Sequence, residues 1–165
     1  MKIILTIVPF LLLSVSGCYV VKKVAHQPVK VEGIAMEPSL KHGDRVFISR
    51  DLDRIERSDI VIFYYPADQS KSFIKRVVGL PNDRVEIREG QLFINGDRVT
   101  EPYVDSKNNQ SSRSTKEISV PEDNYYVVGD NRDNSNDSRS WGPLPRHFIY
   151  GKFASKYYSA QLRQE

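Results

Sequence analysis

The residues of this chain that could do chemistry fall in three short segments. The first, Gly33-Ile34-Ala35-Met36-Glu37-Pro38-Ser39-Leu40, leaves a strand-like run, meets a proline and turns. In the second, Phe73-Ile74-Lys75-Arg76-Val77-Val78-Gly79-Leu80-Pro81-Asn82-Asp83, a lysine interrupts an apolar strand ahead of a Gly-Leu-Pro turn. The third, Gly129-Asp130-Asn131-Arg132-Asp133-Asn134-Ser135-Asn136-Asp137-Ser138-Arg139, follows the apolar run Tyr125–Val128. Amines, hydroxyls and carboxylates of this kind serve general acid–base and nucleophilic catalysis when they converge. Singly, the segments read as a turn, a solvent-facing lysine at an alternating strand position, and a solvated loop. The three histidines, His26, His42 and His147, share no ligand spacing with one another or with the single cysteine. No metal centre and no cofactor are therefore expected.

In this order and spacing the three segments, with Arg57-Ser58-Asp59-Ile60-Val61 as a fourth, resemble the signature segments of the signal peptidase I family. The resemblance runs from about residue 29 to residue 155. It implies a Ser/Lys endopeptidase, in which a serine hydroxyl attacks the scissile carbonyl and an unprotonated lysine takes its proton. Lys75 matches that general base, and Ser135 matches the serine that orients the lysine. Asp137 and Arg139 match a supporting ion pair. A free lysine titrates near ~10.4, so a base working near neutral pH needs an apolar pocket that disfavours the ammonium. Phe73, Ile74, Val77 and Val78 could wall such a pocket.

The nucleophile position is occupied by Ala35, whose methyl group cannot attack, so hydrolysis is expected to be absent. The sequence leaves open a Ser→Ala variant of an active peptidase or a natural pseudoenzyme. Ser39, four residues on and beyond Pro38, is no replacement, because attack requires near-contact geometry. The backbone N–H of residue 35 survives the change and could still serve an oxyanion hole. The resemblance also implies that substrate binds as an extended strand beside Val31–Ala35 and Ser72–Lys75. Gly33, Met36, Leu40, Phe73 and Ile74 are then the candidate substrate-binding residues, with plain core packing as their alternative. The expected partners are exported preproteins with Ala-x-Ala-type cleavage regions. The competing reading is a non-enzymatic surface lipoprotein acting in protein or pilus assembly.

The elements that must position these groups read as a mostly β domain. The resemblance implies packed antiparallel sheets of signal peptidase I type with few short helices. Candidate strands are Val29–Ile34, Arg45–Ile48, Ile60–Tyr65, Ser72–Val78, Arg84–Arg88, Gln91–Ile94, Tyr125–Val128 and Gly151–Tyr158. Glu89-Gly90 and Asn95-Gly96 supply the positive φ that tight hairpins need. Asp51–Arg57 is a candidate short helix with Leu52 and Ile55 facing inward. Val104–Lys116 holds almost nothing apolar, which predicts a mobile loop without chemistry.

The front of the chain sets the compartment. Met1-Lys2, an apolar run from Ile3 to Val15 and the small residues Ser16-Gly17 have the layout of an export signal. Val15-Ser16-Gly17-Cys18 also resembles a bacterial lipobox, which would make Cys18 the lipid attachment site. Alternatively, the uncharged run Ile3–Val21 is long enough to cross a bilayer core of ~30 Å as an uncleaved anchor. Either reading divides the chain into an anchor segment, 1–23, and a catalytic-type domain, 24–165. Both would place the domain on the extracytoplasmic side of a bacterial membrane, with membrane lipid as a partner. Of the 165 residues 39% are hydrophobic and 27% charged, which suits one folded domain. Lys plus Arg number 24 against 21 Asp plus Glu, interspersed, so nucleic acid is not an expected partner.

Overall fold

A computed structural model of the chain describes residues 27–157. The anchor segment, Cys18 and the far C-terminus lie outside the described residues. Strands β1 (Gln27–Lys30), β2 (Arg45–Ser49), β3 (Ile60–Tyr65), β4 (Asp68–Gly79), β5 (Arg84–Arg88) and β6 (Gln91–Ile94) come first. They are followed by β7 (Asp97–Arg98), β8 (Ile118–Ser119), β9 (Asn124–Val128), helix α1 (Ser138–Trp141), β10 (Leu144–Pro145) and β11 (Ile149–Lys156). The larger sheet has the order β1-β2-β11-β3-β4-β9-β10 and the smaller one β7-β6-β5-β8. All their pairings are antiparallel, so the expected mostly β architecture with few short helices is what the chain adopts.

Three apolar clusters hold the layers together. Val61, Phe63, Val77, Val127 and Leu144 form one. Val78, Val85, Ile87, Leu92 and Val128 form a second, joining the two sheets. Val31, Met36, Leu40, Val46, Ile48 and Ile62 form a third. Each such side chain contributes about 1.5–3 kcal/mol on burial, so these clusters fix the register of the strands that carry the site.

Local chemistry explains where the boundaries fall. Both hairpins form as expected, with Glu89 and Gly90 at φ 48° and 75° and Asn95 and Gly96 at 54° and 94°. The first strand, expected over Val29–Ile34, instead spans Gln27–Lys30; Gly33 at φ 82° turns the chain away. β4 begins earlier than the expected Ser72, and the last strand is Ile149–Lys156.

Asp51–Arg57 is not helical. Asp51 Oδ1 accepts from the Asp53 N–H at 3.3 Å and Asp59 Oδ2 from the Glu56 N–H at 2.8 Å, local bonds that compete with the helical ladder. Ile55 and Leu52 nevertheless pack inward, as their spacing suggested.

The polar 104–116 segment is more structured than its composition implied. It contains a 3₁₀ turn at Ser106–Asn108, and Asp133 accepts hydrogen bonds from the Gln110 N–H at 2.8 Å and the Ser111 N–H at 3.0 Å. Asn108 reaches the Glu37 carbonyl at 3.3 Å, and Asn109 that of Gly90 at 2.9 Å. Hydrogen bonds here replace the apolar burial that composition alone can register.

Candidate active site

β4 is where the site begins. Alternation along a strand sends Phe73, Lys75 and Val77 to one face and Ile74 and Arg76 to the other. The register sets Lys75 opposite Val61 and Phe73 opposite Phe63, so the lysine stem lies on an apolar face. Lys75 is 5% exposed, and its Nζ donates to the Ile74 carbonyl at 3.1 Å. The amine stands 5.1 Å from the centre of the Phe73 ring. Among the described residues no carboxylate lies within ion-pair distance of it. Burial is the main influence on the amine and brings it down to about 8. The more distant Asp137 and Asp130 favour the ammonium and Arg139 opposes it. The lysine is thus a buried amine rather than the solvent-facing residue of the ordinary reading.

Arg76, on the opposite face, is enclosed by partners. Asp130 accepts from its Nε at 2.8 Å and from one terminal nitrogen at 2.6 Å. The other terminal nitrogen donates to the Ser58 carbonyl at 2.8 Å, and the guanidinium stacks 4.0 Å from the centre of the Tyr103 ring. The Ser39 hydroxyl accepts from this same arginine at 3.3 Å. Ser39 therefore sits on the face of β4 away from the lysine amine.

The 129–139 segment is strapped back onto β9. Asp137 caps α1, accepts the Gly129 N–H at 3.0 Å, and binds Arg139 through both carboxylate oxygens at 2.8 and 2.9 Å. Burial pushes the Asp137 carboxyl up, but the Arg139 guanidinium, Ser135 and the Gly129 N–H together outweigh it and hold the group below the usual carboxylate range. Arg139 also donates to the Arg132 carbonyl at 2.8 Å, and the Ser138 hydroxyl accepts from the Val127 N–H at 3.0 Å. The anticipated Asp137–Arg139 pair is formed.

Gly129 is where the first and third segments meet. A Cβ at this position would lie 2.3 Å from Ser135 Oγ and 2.5 Å from the Ala35 carbonyl oxygen. The Ala35 carbonyl accepts from the Asn131 N–H at 3.0 Å. The Ser135 Oγ is buried without a hydrogen bond of normal geometry, although it lies near enough to Asp137 to help lower that carboxyl. Since Arg76 pairs with Val128, Lys75 lies level with Gly129, on the strand next to it. Residues 35, 75 and 135 are thereby drawn to one region, although no hydrogen bond links Lys75 to Ser135.

A cleft of about 800 Å³ opens over this region, and Gly33, Ala35, Met36, Phe73, Ile74 and Lys75 all line it. Leu40, 1% exposed, does not reach it and packs in the third core cluster behind Met36. Among the described residues nothing accepts the Ala35 N–H, and Ile34 is exposed beside it at 44%. A separate hollow near Leu52, Asp123 and His147 lies away from these groups. Among the described residues no cluster of His, Cys, Asp or Glu could hold a metal ion, and no helix is long and apolar enough to cross a membrane.

Sequence reasoning had not singled out Gly129, the Arg76–Asp130 pair or Asp133. Glycine after an apolar run and an arginine beside a lysine carry no marked local signal; their significance comes from segments distant in sequence.

Comparisons with known proteins show what the whole chain is similar to. A family model described as signal peptidase, peptidase S26, matches residues 1–158. A probable signal peptidase I-2 of Synechocystis sp. is 38% identical over 127 residues, covering 72% of this chain and 56% of that protein. The chain thus spans little more than half the length of that relative. Signal peptidase I P of Bacillus subtilis subsp. natto is 34% identical over 79% of this chain and 75% of its own. Signal peptidase IB of Staphylococcus aureus is 31% identical over 92% and 85%. The crystal structure of a signal peptidase I from Enterococcus faecalis V583 aligns with TM-score 0.51 and 32% identity, over 59% of this chain and 95% of that one.

Proposed function

Because this chain belongs to the signal peptidase family, peptidase S26, we propose that its cleft takes up the cleavage region of exported preproteins and, with alanine at position 35, binds it without hydrolysing it. In this reading Ala35 occupies the nucleophile position and its N–H remains available to an oxyanion. Lys75 is the general base left without a hydroxyl to deprotonate. Ser135 orients the amine, and the Asp137–Arg139 pair fixes the loop that carries Ser135.

The carrying observation is the buried Lys75 amine, free of a counter-ion, sharing one cleft with Ala35. Strand addition is supported by the free edge of β4: β9 pairs with it only from Arg76 onward, leaving the edge upstream open among the described residues. An extended peptide there would be held by main-chain hydrogen bonds that need no serine. Gly33, Met36, Phe73 and Ile74 would shape the pockets for small residues such as the alanines of Ala-x-Ala. Leu40 supports these walls from the core.

The domain, residues 24–165, works on the extracytoplasmic side of a bacterial membrane, held there by residues 1–23. Attachment is by lipid on Cys18 or by an uncleaved apolar span, and mass spectrometry of the mature N-terminus separates the two.

Restoring the nucleophile tests the reading. Ala35→Ser should switch on cleavage of a detergent-solubilised preprotein with an Ala-x-Ala site, by several powers of ten over the alanine form. Adding Lys75→Ala should abolish that gain. A folded Ala35→Ser chain that cleaves nothing would sink the peptidase reading of the cleft. It would favour the second reading, a surface lipoprotein in protein or pilus assembly, which the missing nucleophile also suits.

A further inference from the structure

We propose that Lys75 is itself a nucleophile, its amine condensing with small aliphatic aldehydes that enter the cleft to form an imine. The inference needs only the amine and the cleft, not the peptide-binding reading.

Three features carry it. Lys75 lines a cleft of about 800 Å³, so its amine can be approached although the residue is 5% exposed. Its hydrogen bond to the Ile74 carbonyl uses an N–H, which a neutral amine retains while its lone pair stays free. Residue 35 offers a methyl group, so no hydroxyl there occupies that lone pair. Lys71 lines the same cleft and is the internal contrast: it is paired with Asp68 at 2.8 Å, its side chain is 64% exposed, and its pKa is raised.

The charged groups around the amine are Asp137 and Asp130, which favour the ammonium, and Arg139, which disfavours it; Lys30, Glu32 and Lys71 stand at the rim of the cleft. Burial outweighs the two carboxylates and leaves the amine titrating at about 8. At pH 7 such an amine is unprotonated on the order of a hundred times more often than one near ~10.4.

The step balances as follows. The lone pair attacks the aldehyde carbon, a C–N bond forms, and the carbonyl oxygen takes negative charge in the cleft that Ala35 also lines. Transfer of a proton from nitrogen to oxygen gives a carbinolamine. Loss of the hydroxyl with the second amine proton expels one water and leaves the C=N bond. Reduction by added cyanoborohydride delivers a hydride to that carbon while the nitrogen takes a proton from water, which leaves a permanent secondary amine.

The test uses the full chain, propanal and sodium cyanoborohydride from pH 6 to 10, with peptide mapping by mass spectrometry. Near pH 7, Lys75 should be propylated at least about tenfold faster than Lys71 and Lys30, a margin that allows for its burial. The ratio of its rate to that of Lys71 should fall as the pH rises above 8, because the Lys75 amine is already unprotonated there while that of Lys71 is not. A Lys75 rate less than about tenfold above that of Lys71 near pH 7 overturns the proposal. So does a ratio of Lys75 to Lys71 that stays constant from pH 7 to 10.

Discussion

Lys75 and Arg76 are consecutive residues of β4 that meet opposite electrostatic surroundings. The arginine is gripped through two nitrogens by Asp130 at 2.8 and 2.6 Å, whereas the lysine, among the described residues, has the Ile74 carbonyl at 3.1 Å as its one hydrogen-bond partner. Strand alternation makes this possible, since it sends neighbouring side chains to opposite faces. One cation is neutralised as structure, and the other is left as an amine whose proton is easily lost.

The lysine should therefore cost stability. Lowering its pKa from 10.5 to about 8 corresponds to about 3 kcal/mol at neutral pH. Below pH 8 both folded and unfolded chains carry the proton and the penalty is complete. Between about 8 and 10.5 the folded chain loses its proton first, so stability rises with pH. Lys75→Met should raise the thermal midpoint by several degrees at pH 7, with the difference from the parent shrinking toward pH 10. An unchanged or lowered midpoint at pH 7 would contradict the burial of this amine.

The arginine should behave in the opposite way. Arg76→Met strands Asp130, which is wholly buried, and should cost about 3–5 kcal/mol in urea unfolding. Replacing both partners, Arg76→Met with Asp130→Leu, should recover most of that loss, because no buried charge is left unpaired. Equal losses in the single and double variants would show that packing, not charge, is at stake.

Gly129 tests the meeting of the first and third segments. Its Cβ would fall 2.3 Å from Ser135 Oγ and 2.5 Å from the Ala35 carbonyl oxygen, a backbone atom that cannot swing aside. Gly129→Ala should destabilise the fold by about 1–3 kcal/mol. In an Ala35→Ser background it should also remove the restored cleavage. Ser135→Ala, which adds no bulk, should spare stability and reduce cleavage alone; a comparable loss of stability in Ser135→Ala would argue against an orienting role.

Asp133 ties the polar 104–116 segment to the site loop. Its carboxylate accepts from the Gln110 and Ser111 N–H groups and from the Ser111 hydroxyl, and these bonds hold its pKa below the usual carboxylate range. Asp133→Ala should speed amide hydrogen exchange at Gln110 and Ser111 while leaving exchange in β3 and β4 unchanged. Unaltered exchange at those two amides would mean that the segment is held by other contacts, such as Asn108 to Glu37.

Much of the scaffold was legible before any coordinates. Hairpins at Glu89-Gly90 and Asn95-Gly96 follow from residues that tolerate positive φ, and β2, β3, β5 and β6 follow from short apolar runs between turn signals. Asp51–Arg57 misled because its i, i+3 apolar spacing fits a helix equally well, and local side-chain bonds decided otherwise. The 104–116 segment misled because its anchors, Asp133 and Gly90, lie far away in the sequence. Leu40 was placed correctly only as a core residue, since apolar type cannot distinguish a cleft wall from the layer behind it.

By itself the sequence determined the residue types: a lysine within an apolar strand, a serine and an Asp–Arg pair in one loop, and alanine at position 35. Tertiary structure alone decided that Lys75 is stripped of water while Arg76 is paired, and that Ser39 lies on the wrong side of β4. It also drew residues 35 and 135 together over the bare Cα of Gly129. The physical reason is that hydration, charge pairing and close approach depend on neighbours in space, and these neighbours are supplied by segments of the chain as much as 100 residues apart.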